Sequence, residues 1–198
     1  MDEFMDIFTL VTGIIYLVLE IRQKNFMWVV GIITGAAASA VFLFRGLYAS
    51  MALNIYYVLV SFWGLYCWRR DSGMAEAGAA DAASSGNDKI HINRLPLKTV
   101  LISLGIFLAC VFPAIFFLKS IDDPMPVLDA SVTVASAIAT YWLSRSYLEQ
   151  WLLWIAVDFG TAVLCFCASQ NWMALLYLVY SLSAIYGYSH WKRGGVVV

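Results

Sequence analysis

Apolar residues fill most of this chain in long runs, and short polar stretches separate one run from the next. A helix needs roughly 20 apolar residues to cross the hydrocarbon core of a bilayer, within a range of about 17–25. Seven runs are close to this length, at residues 6–21, 26–45, 47–68, 97–118, 127–146, 150–168 and 172–191. The pattern predicts an all-α polytopic membrane protein with seven transmembrane helices.

The composition agrees with a protein embedded in lipid. Of the 198 residues, 62% are hydrophobic and 13% are charged, whereas water-soluble domains are nearer half apolar and a quarter charged. The formal net charge of −1 argues against a surface that binds nucleic acid. The acidic start, "MDEFMD", lacks the positive charge of a cleavable signal peptide, so the first run is predicted to be a retained span.

The Lys and Arg residues predict which way the chain crosses the membrane, because cytoplasmic loops carry an excess of positive charge. Ten of the twelve fall on one side of the predicted spans, and only Arg45 and Lys119 fall on the other. The ten are Arg22, Lys24, Arg69, Arg70, Lys89, Arg94, Lys98, Arg145, Lys192 and Arg193. This bias places the N-terminus outside and the C-terminus in the cytoplasm, which requires an odd number of spans.

The longest polar stretch lies on the predicted cytoplasmic side, at residues 71–95. It is rich in Ala, Gly, Ser and Asp and has too little bulky apolar content to fold alone, so it is predicted to be a flexible linker. His91 and His190 have no His or Cys near them at the spacing of metal ligands. The four cysteines lie in apolar runs and are interpreted as small buried hydrophobic residues. No metal site and no cofactor is predicted.

The third and seventh runs end alike, with "YVLVSFWGLYCWRR" and "YSLSAIYGYSHWKR". Matching residues lie at one offset of 123, namely Tyr57 with Tyr180, Gly64 with Gly187 and Trp68 with Trp191. Upstream, Trp28 is predicted to match Trp154 if a three-residue gap is allowed. Interfacial aromatic residues occur at the ends of many membrane helices, but several spacings that are kept together favour an internal duplication.

The two copies end on the same predicted side, so the repeats are predicted to be parallel, in a 3+1+3 arrangement. The predicted parts are a first three-helix repeat at 1–70, the linker at 71–95, a connecting helix at 96–119 and a second three-helix repeat at 120–198. Parallel repeats related by an axis along the membrane normal are a transporter architecture, in which substrate binds near the midplane between the repeats. The sequence therefore predicts a transporter.

A few polar residues interrupt the apolar runs. A charged side chain at the centre of a bilayer costs about 2.5–3.5 kcal/mol even on the mildest scale, so such residues usually face a cavity or a partner. In "WLLWIAVD", Trp151, Trp154 and Asp158 have the spacing i, i+3 and i+7, which puts them on one helix face. Asp158 is predicted to be functional, whereas Glu20 and Asp129 lie near run ends and have interfacial positions as their alternative.

A second polar face lies in the third run, where Asn54, Tyr57, Ser61 and Gly64 follow helical spacing. The alternative role for these residues is packing between membrane helices. Because the repeat keeps a tyrosine at Tyr180, the two tyrosines are predicted to meet across the axis that relates the repeats. Together with the face that contains Asp158, these residues predict a chamber for a flat, cationic aromatic molecule that carries hydroxyl groups.

The N-x-x-Y of "NIYY" (Asn54, Tyr57) and the W-x-x-W of "WLLW" (Trp151, Trp154) resemble motifs of the Pnu family of bacterial vitamin transporters. The resemblance implies a seven-helix fold like that of the SWEET sugar transporters and a location in the bacterial inner membrane. It also implies facilitated diffusion of nicotinamide riboside, which a cytoplasmic kinase then traps, and a homo-oligomer such as a trimer. By position, these four residues would contact the ligand.

Two residues depart from the nicotinamide riboside branch of that family. The end of the first run, with Glu20, resembles the thiamine branch, and Asp158 stands where Asn is expected at least as often. Nicotinamide riboside and thiamine are both aromatic cations, so the charge argument fits either. A proton-coupled transporter that titrates Asp158 or Glu20 is a further alternative. An enzyme is not predicted, because the sequence has no metal-ligand spacing, nucleophile-and-base set or glycine-rich phosphate loop.

Overall fold

The computed structural model describes residues 13–44, 48–79 and 90–197. Helix α1 is described over 13–21. The other helices are α2 (Phe26–Phe44), α3 (Tyr48–Ala79), α4 (Leu97–Ser120), α5 (Pro126–Ser144), α6 (Gln150–Cys167) and α7 (Asn171–Gly194). Two short strands, β1 (Ile90–Ile92) and β2 (Gly195–Val197), pair in parallel, with His91 opposite Val196.

Each predicted apolar run corresponds to one of these helices, although the start of the first run lies outside the described residues. Within the described ranges, four helices are long and apolar enough to cross a membrane: Met51–Asp71 of α3, Leu97–Ser120, Pro126–Ser144 and Gln150–Cys167. Residues 97–120 are the most apolar of these, with a mean hydropathy of 2.7. The structure therefore shows a helical protein with several membrane-spanning helices.

The described residues form two compact units. One contains the residues up to Asn93 together with Leu143–Ser146 and the residues from Gly194 onward; the other contains Arg94–Trp142 and Tyr147–Arg193. In the first unit, α2 packs along α3. In the second unit, α6 packs against α5 at Gly160, where an added Cβ would lie 2.7 Å from Val132 Cγ1.

The predicted linker is shorter than residues 71–95. Helix α3 continues to Ala79, beyond the basic pair Arg69–Arg70, and β1 occupies Ile90–Ile92. The prediction of a flexible segment is therefore wrong at both of its ends, and residues 80–89 between them lie outside the described ranges. Sequence reasoning missed β1 because a three-residue strand that pairs with the far end of the chain has no local signal.

Four helices end in the same kind of turn, at residues with positive φ: Gln23, Asp122, Ser146 and Ser169. After α1, the N–H of Gln23 bonds to Glu20 O over 2.9 Å and the N–H of Lys24 bonds to Leu19 O over 2.8 Å. This pair of bonds is the Schellman motif, which satisfies the last carbonyl groups of a helix. After α5, Ser146 and Tyr147 make the equivalent bonds, over 2.9 and 3.1 Å.

Candidate functional site

A tryptophan lies directly on the backbone of a glycine in both units. In the first unit, a Cβ added to Gly64 would lie 2.5 Å from Trp28 Cζ2, and Trp28 meets Trp68 edge-on with ring centroids 5.1 Å apart. In the second unit, a Cβ added to Gly187 would lie 2.7 Å from Trp151 Cη2. The Trp151 and Trp191 rings are 5.4 Å apart in the same edge-on arrangement. The two units therefore build the same contact at the offset of 123.

This geometry corrects the predicted alignment of the two repeats. Trp28 corresponds to Trp151 at the offset of 123, and the predicted match to Trp154 with a three-residue gap is wrong. Trp151 is 1% exposed and its ring covers Gly187, so its packing is explained within its own unit. Since "WLLW" supplies two tryptophans, sequence alone did not reveal which one was the equivalent of Trp28.

The corrected offset shows where the second repeat departs from the first. Trp154 corresponds to Gly31, and Asp158 corresponds to Gly35. In the first unit those two glycines let α2 lie close to α3, with added Cβ atoms 2.9 Å from Ser61 Oγ and 2.8 Å from Val58 Cγ2. The second repeat thus has an indole and a carboxylate where the first has no side chain, which indicates a role other than packing.

Asp158 is a buried carboxylate on α6, with 7% of its surface exposed. Among the residues that the structure describes, it makes no hydrogen bond and no ion pair. Its carboxylate lies close enough to Tyr180 for the two groups to interact electrostatically, and Tyr180 in turn meets Tyr177 edge-on at 5.8 Å. A buried carboxylate without a cation is costly, so this position suits a positively charged ligand.

Trp154 lies on the same face of α6, one turn before Asp158. It is partly exposed, and its Nε1 atom is buried without a hydrogen-bond partner in the described ranges. Unlike Trp151, it has no glycine beneath its ring at the described positions. An indole next to a carboxylate can hold a flat cation by stacking and cation–π attraction.

The first unit contains the other four predicted site residues. Asn54 and Tyr57 are half-buried on α3, and the Tyr57 ring lies 5.6 Å from that of Tyr56. The Ser61 hydroxyl donates to Tyr57 O over 2.7 Å, is 4% exposed and faces Gly31. Ser61 therefore serves helix packing in this structure, which is the alternative role for this polar face.

Glu20 is buried on α1, with 6% of its surface exposed. Tyr16, four residues earlier, interacts electrostatically with both Glu20 and Tyr57. Glu20 and Tyr57 therefore belong to one polar cluster that also includes Tyr16. Sequence reasoning missed Tyr16 and Tyr177, although the spacing of Tyr16 from Glu20 and of Tyr177 from Tyr180 already placed them on the same helix faces.

The second acidic candidate, Asp129, has a local structural role. It lies in the first turn of α5, half-buried, and accepts a hydrogen bond from Thr133 Oγ1 over 3.3 Å. A carboxylate there is favourable because the N-terminal end of a helix carries partial positive charge. Asp129 is not part of the polar cluster formed by Tyr16, Glu20 and Tyr57, nor of the group formed by Asp158, Tyr180 and Tyr177, and its interfacial position stays a prediction.

The eight predicted residues thus divide between the two units. Asn54, Tyr57, Ser61 and Glu20 lie in the first, and Trp151, Trp154, Asp158 and Tyr180 lie in the second. A chamber that both groups share stays a prediction. Over the described ranges, no group of three His, Cys, Asp or Glu residues could hold a metal ion, and the four cysteines are free thiols.

Comparison with known proteins identifies what the chain is similar to. The family model described as nicotinamide mononucleotide transporter matches residues 3–193. The chain is 27% identical to the nicotinamide riboside transporter PnuC of Neisseria mucosa, over 97% of this chain and 73% of that protein. It is 23% identical to PnuC of Escherichia coli, over 91% and 82%.

Two further similarities concern substrate and fold. The riboflavin/roseoflavin transporter RibM of Streptomyces davaonensis is 25% identical to the chain, over 91% of this chain and 81% of that protein. Among solved structures, the crystal structure of the vitamin B3 transporter PnuC matches with a TM-score of 0.68 and 25% identity. That match covers 97% of this chain and 82% of that one, so the two share a fold.

Proposed function

Because the chain belongs to the nicotinamide mononucleotide transporter family, it is a membrane transporter and not an enzyme, and we propose that it takes up nicotinamide riboside across the bacterial inner membrane. The proposed transport is facilitated diffusion, and phosphorylation by a cytoplasmic kinase keeps the vitamin inside. The proposed architecture is the N-out, C-in, 3+1+3 arrangement of seven helices. The proposed parts are the repeats at 1–70 and 120–198 and a connecting helix at 96–119.

The observation that carries this proposal is the buried Asp158 carboxylate, which has no ion pair among the described residues and interacts electrostatically with Tyr180. Nicotinamide riboside carries a positive charge on its pyridinium ring, so it would neutralise Asp158 on binding. Trp154 would stack on the ring. Asn54 and Tyr57 would bind the ribose hydroxyl groups, and Glu20 would support Tyr57. Trp151 and Ser61 hold the helices in place in this proposal.

A negative charge on Asp158 also distinguishes between the candidate substrates, because some are cationic and others are neutral. The relatives are named for nicotinamide riboside and for riboflavin and roseoflavin. The flavin ring is neutral and leaves a buried carboxylate uncompensated, which is unfavourable in a low-dielectric site. Thiamine carries a cationic thiazolium ring and is the second candidate, since Glu20 gives this chain a second buried carboxylate near a site tyrosine.

Titration calorimetry on the purified protein tests the substrate. Nicotinamide riboside, thiamine and riboflavin are offered in parallel at the same concentrations. We expect nicotinamide riboside to bind at least tenfold more tightly than riboflavin, a difference of about 1.4 kcal/mol. Binding of thiamine alone would replace the proposed substrate with the second candidate. Binding of riboflavin alone would contradict the role given to Asp158.

The variant Asp158→Asn tests the carboxylate directly. It should weaken binding of nicotinamide riboside and leave binding of a neutral isostere, in which a benzene ring replaces the pyridinium ring, within a factor of about two, because only the cation gains from the charge. Asp129→Asn is the matched control, since it removes a carboxylate that lies outside both polar clusters. An equal loss for the cation and its neutral isostere would show that Asp158 serves structure.

A further inference from the structure

Two turns at one end of the helices meet at their tips. Gln23 follows α1 and Ser146 follows α5, and both have positive φ. They are 123 residues apart, which is the offset of the predicted repeat, and Gln23 Nε2 donates to Ser146 Oγ over 3.1 Å. Both residues belong to the first unit, and in the proposed repeat arrangement residues at equivalent positions can touch only beside the axis that relates the repeats. In transporters with parallel repeats, the substrate site lies at the repeat interface around that axis.

The segment Ile90–Asn93, named the strap from here on, is bonded to both of these turns. The N–H of His91 donates to Gln23 Oε1 over 2.6 Å, and Gln23 Nε2 donates to His91 O over 2.8 Å. The glutamine amide thereby pairs with the strap backbone much as a neighbouring strand would. The N–H of Asn93 donates to Ser146 O over 3.1 Å.

Two further anchors fix the strap. Asn93 Nδ2 donates to Asp71 Oδ2 on α3 over 3.1 Å and to Arg145 O over 2.8 Å. On its other side, β1 pairs with β2 at the end of the chain. His91, Asp71 and Ser146 are 8%, 3% and 1% exposed, so their hydrogen bonds are shielded from water while the strap is bound to the two turns.

We propose that Gln23 and Ser146 form a gate at one end of the transport path, and that the strap holds this gate shut. The proposal rests on the proposed function, because a gate requires a path. The gate lies at the end that the Lys and Arg distribution assigns to the cytoplasm. Release of substrate there separates Gln23 from Ser146, and the strap then leaves at least one of the two turns. The bonds that break are hydrogen bonds that water can replace, so opening is reversible.

A covalent tether tests the gate. Gln23→Cys and Ser146→Cys are combined in a variant whose four native cysteines are replaced by Ala. A short bis-thiosulfonate reagent then bridges the new pair. In liposomes we expect the bridged protein to lose at least nine-tenths of its nicotinamide riboside flux and to regain it after reduction. The two single-cysteine variants, treated with the same reagent, are the controls and should keep their flux.

Each result of the tether experiment is informative. Full flux through a protein that mass spectrometry shows to be bridged would overturn the gate. A pair that no such reagent bridges would show that Gln23 and Ser146 are not in contact, which also overturns it. Flux that is lost on bridging but not regained on reduction would mean that the reagent damages the fold, and that result also counts against the proposal.

A second measurement needs no substrate, so it stands even if nicotinamide riboside is the wrong ligand. Cys67 is 1% exposed beside this end, where Arg145 Nη1 lies 3.7 Å from its sulfur. In a variant with Cys110, Cys165 and Cys167 replaced by Ala, its labelling by N-ethylmaleimide reports opening. We expect Asn93→Ala to raise the labelling rate at least fivefold.

The control for that measurement is Asn171→Ala, which removes the same side chain at the exposed start of α7, away from the strap. Its labelling rate should equal that of the parent protein. Equal rates for Asn93→Ala and the parent would overturn the role of the strap. If Asn93→Ala is labelled faster and the parent protein transports none of the three vitamins, the role of the strap is supported and the proposed substrate is rejected.

Discussion

Gly64 and Gly187 each let a tryptophan ring lie directly on a helix backbone. A Cβ atom at either position would lie 2.5–2.7 Å from the ring of Trp28 or Trp151, far inside van der Waals contact. Both rings also meet a second tryptophan edge-on, Trp68 or Trp191, and both are almost fully buried. Because the rings are large and enclosed, they cannot shift by a small amount to admit a methyl group.

Gly187→Ala should therefore lower the free energy of unfolding by about 1–3 kcal/mol, the usual effect of overpacking a core. Gly64→Ala should do the same, and both effects should appear as lower melting temperatures of the purified protein in detergent. Gly105→Ala in α4 is the matched control, because nothing lies within 4 Å of its added Cβ. A melting temperature of Gly187→Ala equal to that of the control would contradict the close contact.

The two tryptophans of "WLLW" should respond differently to truncation. Trp151→Ala should cost about 3–5 kcal/mol of stability, because it empties the space over Gly187. Trp154→Ala should leave the melting temperature nearly unchanged and weaken nicotinamide riboside binding about tenfold, the effect of losing one desolvated cation–π contact. Thermal melting and calorimetry on both variants check this, and a reversed pattern would exchange the two roles.

Individual residues of the site were partly predictable from the sequence. Helical spacing placed Trp151, Trp154 and Asp158 on neighbouring positions of one face, and it identified Asp158 as a carboxylate in an apolar helix. It did not separate the indole that packs from the one that is partly exposed. That distinction depends on Gly187, which is distant in sequence and beneath only one of the rings.

At the scale of the elements, helices α1, α4, α5 and α6 end in turns whose αL residue is not glycine. Placing an L-residue in this conformation costs roughly 1–2 kcal/mol relative to the right-handed region. A non-glycine residue there is favourable only if its side chain makes interactions that offset this cost. Gln23 and Ser146 use their side chains in the gate and strap. Ser169, between α6 and α7, is exposed and makes no side-chain hydrogen bond in the described ranges.

Ser169→Gly should therefore raise the melting temperature, by an amount equivalent to about 1 kcal/mol, because glycine adopts positive φ without strain. The first repeat already has Gly46 at the corresponding position in the sequence. The same change at Gln23 should not stabilise the protein, because it removes three hydrogen bonds together with the strain. A lower melting temperature for Ser169→Gly would contradict the αL assignment.

The helices were largely predictable from the sequence, whereas the strand β1 was not. Long apolar runs predicted six helices with boundaries within a few residues of α2 to α7, except that α3 extends to Ala79. The strand β1 could not be predicted, because its partner β2 follows α7 and its other hydrogen bonds join His91 to Gln23, in the turn after α1. A segment that is stabilised only by residues distant in sequence has no local pattern of its own, so the sequence alone makes it look like a linker.

For the molecule as a whole, the proposed facilitated diffusion predicts that flux follows the substrate gradient alone. In liposomes, uptake of nicotinamide riboside should change by less than a factor of two when a gradient of one pH unit is imposed. The alternative is coupling to protons through Asp158 or Glu20, because intramembrane carboxylates mark proton pathways in many transporters. Uptake that rises with an inward proton gradient would establish coupling. Asp158→Asn and Glu20→Gln would then show which carboxylate carries it.

The amino-acid sequence was enough to assign the helical membrane class and most of the helix boundaries, and it predicted an internal repeat. These features depend on local chain chemistry, since apolar length and residue spacing are properties of neighbouring positions. The contacts in the folded chain were needed to pair Trp28 with Trp151, to give Trp151 a packing role and to find the partners of the strap. Those depend on which distant residue occupies the space beside a side chain, such as Gly187 beneath Trp151 or Gln23 against His91.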